Sequence, residues 1–407
     1  MTVINTFMNI KNLIASAFFF LLLPLGCLAD RYTVVVSLDG FRDDYTRIYS
    51  TPFLDSLAHM GVSATMQPSF PSKTFPNHYT IVTGLVPDHH GIIANKFLDL
   101  ASGITFALGK PTSADPRFWG GDPIWNTAAR QGVKTGVTYW PGSDVKIGGH
   151  YPTYYRNYNQ LPRLSFAQRI NEVARQLSLP EAERPHLLLV YFEEPDHAGH
   201  SHSPFSPETK QAVERIDGTV ESLYTTLQTL PQRDSINLIV LADHGMAPID
   251  AHHVVNPYDY IRPEWVERMQ CDLPTHIWPR KGCEEKILKA LRSMPHVKVW
   301  KKSEVPAYLM YGSNANIAPI VVNPDCGWMI FDKPVLGPGT RGSHGFDPTN
   351  FDMQVPFRAV GPDFKQHYRK ADLFQNIHIY PLLCHLLGIQ PSPCDGQLTP
   401  VEDMLRE

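Results

Sequence analysis

A chain of 407 residues is long enough for one large α/β domain or two ordinary ones. Its 36 Lys and Arg against 40 Asp and Glu leave a net charge of −4, which supplies neither a basic field for nucleic acid nor an acidic tail. The 18 histidines are numerous, and they gather in short stretches beside aspartates.

The N-terminus reads as a targeting segment. Lys11 precedes an apolar run from Leu13 to Leu25, and Gly26-Cys27-Leu28-Ala29 offers a small-residue cleavage point after Ala29. The run is shorter than the ~20 apolar residues a membrane span needs. Residues 1–29 are therefore expected to be a signal peptide, and the protein to be exported, periplasmic or secreted. The membrane enters this reading only through a lipid anchor at Cys27, to which Pro24-Leu25-Gly26 is a poor approach. Removal of the segment leaves five cysteines. Cys271 with Cys283 and Cys384 with Cys394 are local pairs suited to bridges in an oxidising compartment, with Cys326 left over. No spacing among them resembles a zinc ribbon.

Taken in order, the run Tyr32 to Leu38 is β-branched and nearly free of polar breaks, the pattern of a buried strand. It ends at Asp39-Gly40. Thr51 to Met60, closed by Gly61, reads as a capped helix. The stretch from Pro71 to Gly84 reads as a loop that delivers Thr74 to a helix start. Phe75 and Pro76 fall in its first turn, where a missing proline N–H costs nothing. Thr74 alone reads as an N-cap; as a nucleophile it would face an anion site made by unpaired N–H groups. Phe118 to Tyr158 is an aromatic-rich excursion with a strand at Val133 to Tyr139, either a binding wall or packing.

Leu164 to Leu177 is helical by period, and His186 to Phe192 is a second buried strand, followed by Glu193-Glu-Pro-Asp196-His-Ala-Gly-His200. A long amphipathic helix from Pro207 to Leu227 precedes a third buried strand, Ile236 to Ala242, which ends in Asp243-His244-Gly245. Shorter, mixed elements occupy about 254–328, read as a cap inserted into one catalytic domain of residues 30–407, with a helix at Glu284 to Ser293. His344 lies on a Gly-rich loop, Val355 to Val360 is a further strand, and Ala371 to Leu387 a closing helix. Strands alternating with helices predict an α/β fold with a mostly parallel central sheet, helices on both faces and a small inserted cap.

Asp39, Asp196 and Asp243 all fall at or just beyond the ends of buried strands, the edge where open α/β sheets bind ligands. His200 lies four residues after Asp196, and His244 directly follows Asp243. One aspartate after a strand is an ordinary cap. Mixed carboxylate and imidazole sets at one edge of one sheet suit zinc. Three carboxylates against two dications leave about one net positive charge, which can hold the Thr74 hydroxyl as an alkoxide near neutral pH. A single ion would leave the pocket negative and hostile to phosphate. Phe75 stands where an arginine would serve a phosphomonoester dianion, which favours a diester, and Lys73 is expected to point to solvent.

The motifs Asp39-Gly-Phe-Arg42, Lys73-Thr-Phe-Pro-Asn-His78, Thr83-Gly-Leu-Val-Pro87, Glu194-Pro-Asp-His-Ala-Gly-His200, Ala242-Asp-His-Gly-Met246 and Gly342-Ser-His-Gly345 resemble the nucleotide pyrophosphatase/phosphodiesterase family. That family belongs to the alkaline phosphatase superfamily, and the resemblance runs from about Tyr32 to Leu387. It implies an alkaline-phosphatase-like fold in single-domain form and two Zn2+ ions. Asp196, His200 and His344 would hold one ion; Asp39, Thr74, Asp243 and His244 the other. Thr74 would attack phosphorus to form a covalent nucleotidyl-threonine, which water then hydrolyses. Asn95 would share an oxyanion-hole role with the Thr74 N–H. Phe75 and Tyr158 would sandwich the nucleobase, with Tyr191 near the nucleoside.

The implied activity is hydrolysis of pyrophosphate or phosphodiester bonds of small-molecule nucleotides to nucleoside 5′-monophosphates. The alternative is a choline-type lipid phosphodiesterase or a phosphomonoesterase using the same centre. Retention of the segment from Trp140-Pro-Gly-Ser-Asp144 to Tyr158, which the family's secreted lysophospholipid-cleaving branch lacks, favours nucleotides. A sulfatase lacks its Cys/Ser-x-Pro-x-Arg context here. A non-catalytic adhesion module is disfavoured because every matched ligand and the nucleophile are present.

Overall fold

The computed structural model describes residues 31–333, 339 and 341–407. The expected signal peptide and Cys27 lie outside these residues. Among the described residues no helix is long and apolar enough to cross a membrane.

The central strand β1 (Tyr32–Leu38) is buried at every position. Val34, Val35 and Val36 are fully enclosed, each burial stabilising the fold by about 1.5–3 kcal/mol. Helix α1 (Pro52–Met60) begins with proline in its first turn after Thr51, and leads into β2 (Val62–Gln67). The loop from Pro71 then enters α2 (Thr74–Thr83), which Gly84 closes in a left-handed conformation. Strands β3 (Thr135–Thr138) and β4 (Tyr154–Arg156) come from the aromatic-rich excursion. Helix α3 (Phe166–Leu177) starts at a capping box made by Ser165 and Gln168.

Strand β5 (Leu187–Phe192) is followed by α4 (Asp196–His202) and by α5 (Pro207–Gln228), whose Ser206 N-cap accepts from the Thr209 N–H. Strand β6 (Ile236–Leu241) is wholly buried. In a second, smaller sheet, β7 (Val266–Gln270), β8 (Thr275–Pro279), β9 (Val297–Lys301) and β10 (Ile320–Pro324) are antiparallel in the order β7-β8-β10-β9. With α6 (Glu284–Leu291), this sheet encloses its own apolar cluster around Ile277, Ile287, Leu288 and Val322. The chain then returns through β11 (Arg341–Ser343), β12 (Val355–Val360) and α7 (Ile379–Leu386).

The main sheet runs Tyr368–Arg369, β2, β12, β6, β1, β5, β3, β4, with Phe374–Gln375 also pairing β2. The five strands from β6 to β4 are mutually parallel, and β12 alone runs against both neighbours. Two packed groups of helices cover this sheet: α1 and α3 with α5, and α2 with α7. The mostly parallel α/β fold expected from the alternation of elements is the one observed.

Two expectations need correction. The closing helix spans only Ile379–Leu386, because Phe374–Gln375 joins the sheet edge instead. Pro381 has no N–H to donate, so the helix has to begin within a turn of it. The five described cysteines are free thiols in the structure, so neither expected bridge forms there. Burial raises the Cys271 thiol to about 11 and Cys384 to about 12, well above the range where thiolates exchange readily.

Candidate metal centre

Strands β6, β1 and β5 run side by side, with Ser37 opposite Leu241 and Leu38 opposite Phe192. Their ends therefore coincide, and the residues that follow are delivered to one edge. The Asp39 N–H donates to the Phe192 carbonyl (2.9 Å) and the Asp196 N–H to the Asp39 carbonyl (3.0 Å). Gly40 adopts φ +69°, and a Cβ there would stand 2.8 Å from the Asp196 Cβ. A side chain at this position would push two of the candidate ligands apart.

The result is two triads. Asp39, Asp243 and His244 place ligand atoms within 4.8 Å of one another, and so do Asp196, His200 and His344. They adjoin: the His244 and His344 rings stack at 3.6 Å and 10°. All three imidazoles turn Nδ1 to a backbone carbonyl, His200 to Gly342 (2.9 Å), His244 to Gly245 (2.9 Å) and His344 to Ser72 (2.8 Å). Nδ1 therefore carries the proton, and each Nε2 lone pair faces inward.

Those lone pairs meet other acceptors. His244 Nε2 lies 3.0 Å from Asp243 Oδ2 and 3.4 Å from Asp39 Oδ1. His200 Nε2 lies 3.1 Å from His344 Nε2 and 3.3 Å from Asp196 Oδ1. Among the described residues, Asp39 Oδ1, Asp196 Oδ1 and Asp243 Oδ2 are buried without a hydrogen-bond donor. Buried acceptors facing acceptors are costly, and a dication within each triad resolves both sets at once. The donor set fits a metal of zinc's preference.

Without an ion the groups compensate one another instead: burial acts to lower His244, but Asp243 beside it holds that imidazole above its usual range. Burial, with Asp243 and Asp196 nearby, pushes the Asp39 carboxyl well above its usual range. Burial also acts to raise Asp243, but His244 and His78 outweigh it and hold that carboxyl well below. Burial and the neighbouring His244 and His200 keep the His344 imidazole neutral, as a metal ligand must be.

Thr74 is the first residue of α2, and the residue before it, Lys73, is extended with no capping side chain. Thr74 is thus inside the helix, not its cap. Its Oγ1 lies 3.2 Å from His244 Nε2, on the side of the more buried triad. Asn95 accepts from the Phe75 N–H through Oδ1 (3.0 Å), which leaves its amide nitrogen as a donor beside the helix start.

Lys73 departs from expectation. It is buried, and its Nζ pairs with Asp272 of the small sheet's β7–β8 connection at 2.5 Å. Gly345, at φ +110°, lets the lysine stem pass, since a Cβ there would stand 2.8 Å from Lys73 Cε.

A cavity of about 400 Å³ opens beside Thr74, Asp39 and Asp196. Its walls include Phe75, Trp119, Trp140, Asp144, Tyr158 and Tyr191, so the aromatic-rich excursion supplies a wall as well as packing. Trp119 packs 5.8 Å from Phe75, and the Arg163 guanidinium sits 4.0 Å over the Tyr158 ring. Tyr191 lines the cavity, yet its hydroxyl is engaged, donating to Asp39 Oδ2 at 2.6 Å. A larger cavity of about 510 Å³ lies at the opposite sheet edge around Ile236 and holds none of these residues.

Sequence reasoning overlooked three supports of the centre: the Tyr191 hydroxyl, the Lys73–Asp272 pair, and the buried His78. His78 was visible as part of the Lys73-to-His78 motif, but nothing in a one-dimensional pattern aims a ring.

The family model described as "Type I phosphodiesterase / nucleotide pyrophosphatase" matches residues 33–347. "Venom phosphodiesterase" of Macrovipera lebetinus is 36% identical over 377 residues, covering 89% of this chain and 44% of that protein. "Ectonucleotide pyrophosphatase/phosphodiesterase family member 1" of Homo sapiens is 37% identical over 383 residues, covering 89% and 40%. This chain thus spans less than half the length of the curated relatives it matches. Among solved structures, murine ectonucleotide pyrophosphatase/phosphodiesterase 5, an inactive threonine-to-alanine form in complex with AMP, superposes with a TM-score of 0.87 at 33% identity. That match covers 92% of this chain and 100% of the murine one. The human counterpart also has a TM-score of 0.87, at 33% identity, covering 93% of this chain and 100% of its own.

Proposed function

The chain belongs to the type I phosphodiesterase/nucleotide pyrophosphatase family, and from that premise we propose that it is an exported, zinc-dependent hydrolase that cleaves pyrophosphate or phosphodiester bonds of nucleotides. The products are nucleoside 5′-monophosphates, reached through a covalent threonine intermediate. The observation that carries the reading is the placement of the Thr74 hydroxyl. It stands 3.2 Å from His244 at a helix start, between two carboxylate–imidazole triads and an aromatic cavity of about 400 Å³.

Asp39, Asp243 and His244 would hold one Zn2+, with Thr74 beside it, and Asp196, His200 and His344 the other. When bound, such ions neutralise phosphoryl charge and lower the pKa of an adjacent hydroxyl or water. The chain's own residues do the rest. Thr74 Oγ1 loses its proton to solvent and attacks phosphorus. As the new P–O bond forms, the bond to the leaving group breaks, and that group departs with the electron pair and takes up a proton from solvent. Hydrolysis of the threonyl ester then frees the monophosphate and restores the hydroxyl. Asn95 and the unpaired N–H of the first helical residue are donors for the charge that develops on the phosphoryl oxygen. Phe75 and Tyr158 offer two ring faces for a base. The murine relative bound to AMP is inactive as a threonine-to-alanine form, which supports a threonine nucleophile here. The venom and ectonucleotide relatives support export.

The test is a substrate panel. The nitrophenyl ester of thymidine monophosphate should be hydrolysed faster than nitrophenyl phosphate or nitrophenyl phosphorylcholine, by about tenfold or more in kcat/KM. A preference for the choline or monoester substrate would replace this reading with the lipid phosphodiesterase or monoesterase one.

A further inference from the structure

We infer that His78 is a positioning residue that holds the nucleophile and the inner metal ligands in register, a role that deepens the proposed function and rests on it. His78 is fully buried, one helical turn beyond Thr74 on α2. Its Nδ1 lies 2.9 Å from the Thr74 carbonyl, so that nitrogen carries the proton and donates it there. The same nitrogen stands 3.3 Å from Asp243 Oδ2, the carboxylate oxygen left without a hydrogen-bond donor. On the other side of the ring, Nε2 lies 2.9 Å from the buried Ser37 hydroxyl on β1 and accepts from it.

Three separate parts of the chain therefore meet on one ring. Ser37 sets its tilt from the strand that carries Asp39, and the ring in turn fixes the first turn of α2. The ring's polar edge faces the buried oxygen of Asp243. The ring also backs two walls of the cavity beside Thr74: it meets Trp140 edge-on at 5.0 Å and Tyr191 at 5.2 Å, and the Trp140 indole N–H donates to the His78 carbonyl at 2.9 Å. Tyr191 is the donor to Asp39. A displaced ring at position 78 would therefore be felt by the Thr74 peptide, by Asp243 and by the partner of Asp39 together. His78 bonds the Thr74 carbonyl and does not line the cavity, so its effect passes through these neighbours.

The experiment compares His78→Ala, His78→Asn and His78→Gln in the zinc-loaded protein. An asparagine amide nitrogen falls where Nδ1 sits and keeps the donor to Thr74; a glutamine amide reaches only the Nε2 position. His78→Ala should lower kcat by about 10- to 100-fold with KM little changed, and speed release of one of the two zinc ions to a chromophoric chelator by about tenfold. His78→Asn should recover kcat to within about threefold of the parent, and His78→Gln should not.

An alanine variant with parental kcat and zinc release overturns the inference. So do asparagine and glutamine variants that are equally impaired with equally lowered Tm, which would make the ring mere packing. Where the alanine variant does not fold, the asparagine–glutamine pair alone decides: equal kcat overturns the role, and an asparagine advantage supports it. Zinc release separates this from the parent reading. A parent protein that holds no zinc sinks the metal centre, whereas unchanged release on substitution sinks His78 alone.

Discussion

The two triads differ in how far they stand from water and in how firmly they are held. Asp39, Asp243 and His244 are at most 2% exposed, whereas in the other triad His200 is 42% exposed and Asp196 18%, with only His344 buried. All three imidazoles are braced by backbone carbonyls, so the difference in hold lies in the carboxylates: Asp39 accepts from Tyr191 and Asp243 from the Gly40 N–H at 3.2 Å, whereas Asp196 Oδ1 has no donor among the described residues. Thr74 lies against this inner set. A nucleophile benefits from a desolvated, fixed surrounding, since charges act more strongly there and need not reorganise. The outer triad faces the solvent from which a hydrolytic water has to come. The asymmetry thus fits the two-stage reaction proposed for this chain, with attack an inner event and release an outer one.

The largest expected effect tests the inner side directly. Thr74→Ala should reduce turnover by about 10³-fold or more while zinc content and Tm stay near parental values; near-normal rates would transfer the attack to water. Next, ligands from the two triads should fail in different ways. His200→Ala should leave about one zinc per chain and slow the release stage, so that rapid quenching still captures a burst of first product. Asp243→Ala should abolish the burst. Bursts lost equally in both variants would erase the division of labour.

A smaller effect is expected of Tyr191→Phe, which keeps the ring in the cavity wall but removes the donor to Asp39. Activity should fall by about tenfold in kcat with KM unchanged, and a change confined to KM would make Tyr191 a base contact instead. Smallest is Asp272→Asn, which deprives the buried Lys73 of its charge partner. A few-fold loss of kcat/KM is expected, with KM and kcat both affected because the loop that presents Thr74 loosens; an unchanged enzyme would show that the small sheet contributes nothing to the site.

Much of the framework was legible in the chain. Buried strands such as Tyr32–Leu38 and Ile236–Leu241 declare themselves as unbroken β-branched runs, and Gly61 marks a helix end. Boundaries slipped where pairing competed with propensity, as at Phe374–Gln375, which took a place at the sheet edge that helical periodicity had claimed. Lys73 was misread because lysine beside a loop is usually solvated, and nothing local announces that Asp272, 199 residues away, will meet it. His78 and the Tyr191 hydroxyl escaped notice for a related reason: a supporting residue has the same identity whether its ring faces the core or a ligand.

The order of residues by itself determined which side chains could ligate, that they follow strands, and which threonine begins a helix, because periodicity and capping are local properties. Only the tertiary structure decided that strands β6, β1 and β5 end together. It likewise decided that three imidazoles turn their lone pairs inward, and that one triad is sealed while two members of the other reach solvent. Those outcomes depend on parallel register and on backbone carbonyls contributed by distant loops, Gly342, Gly245 and Ser72, and neither is encoded at the positions they govern.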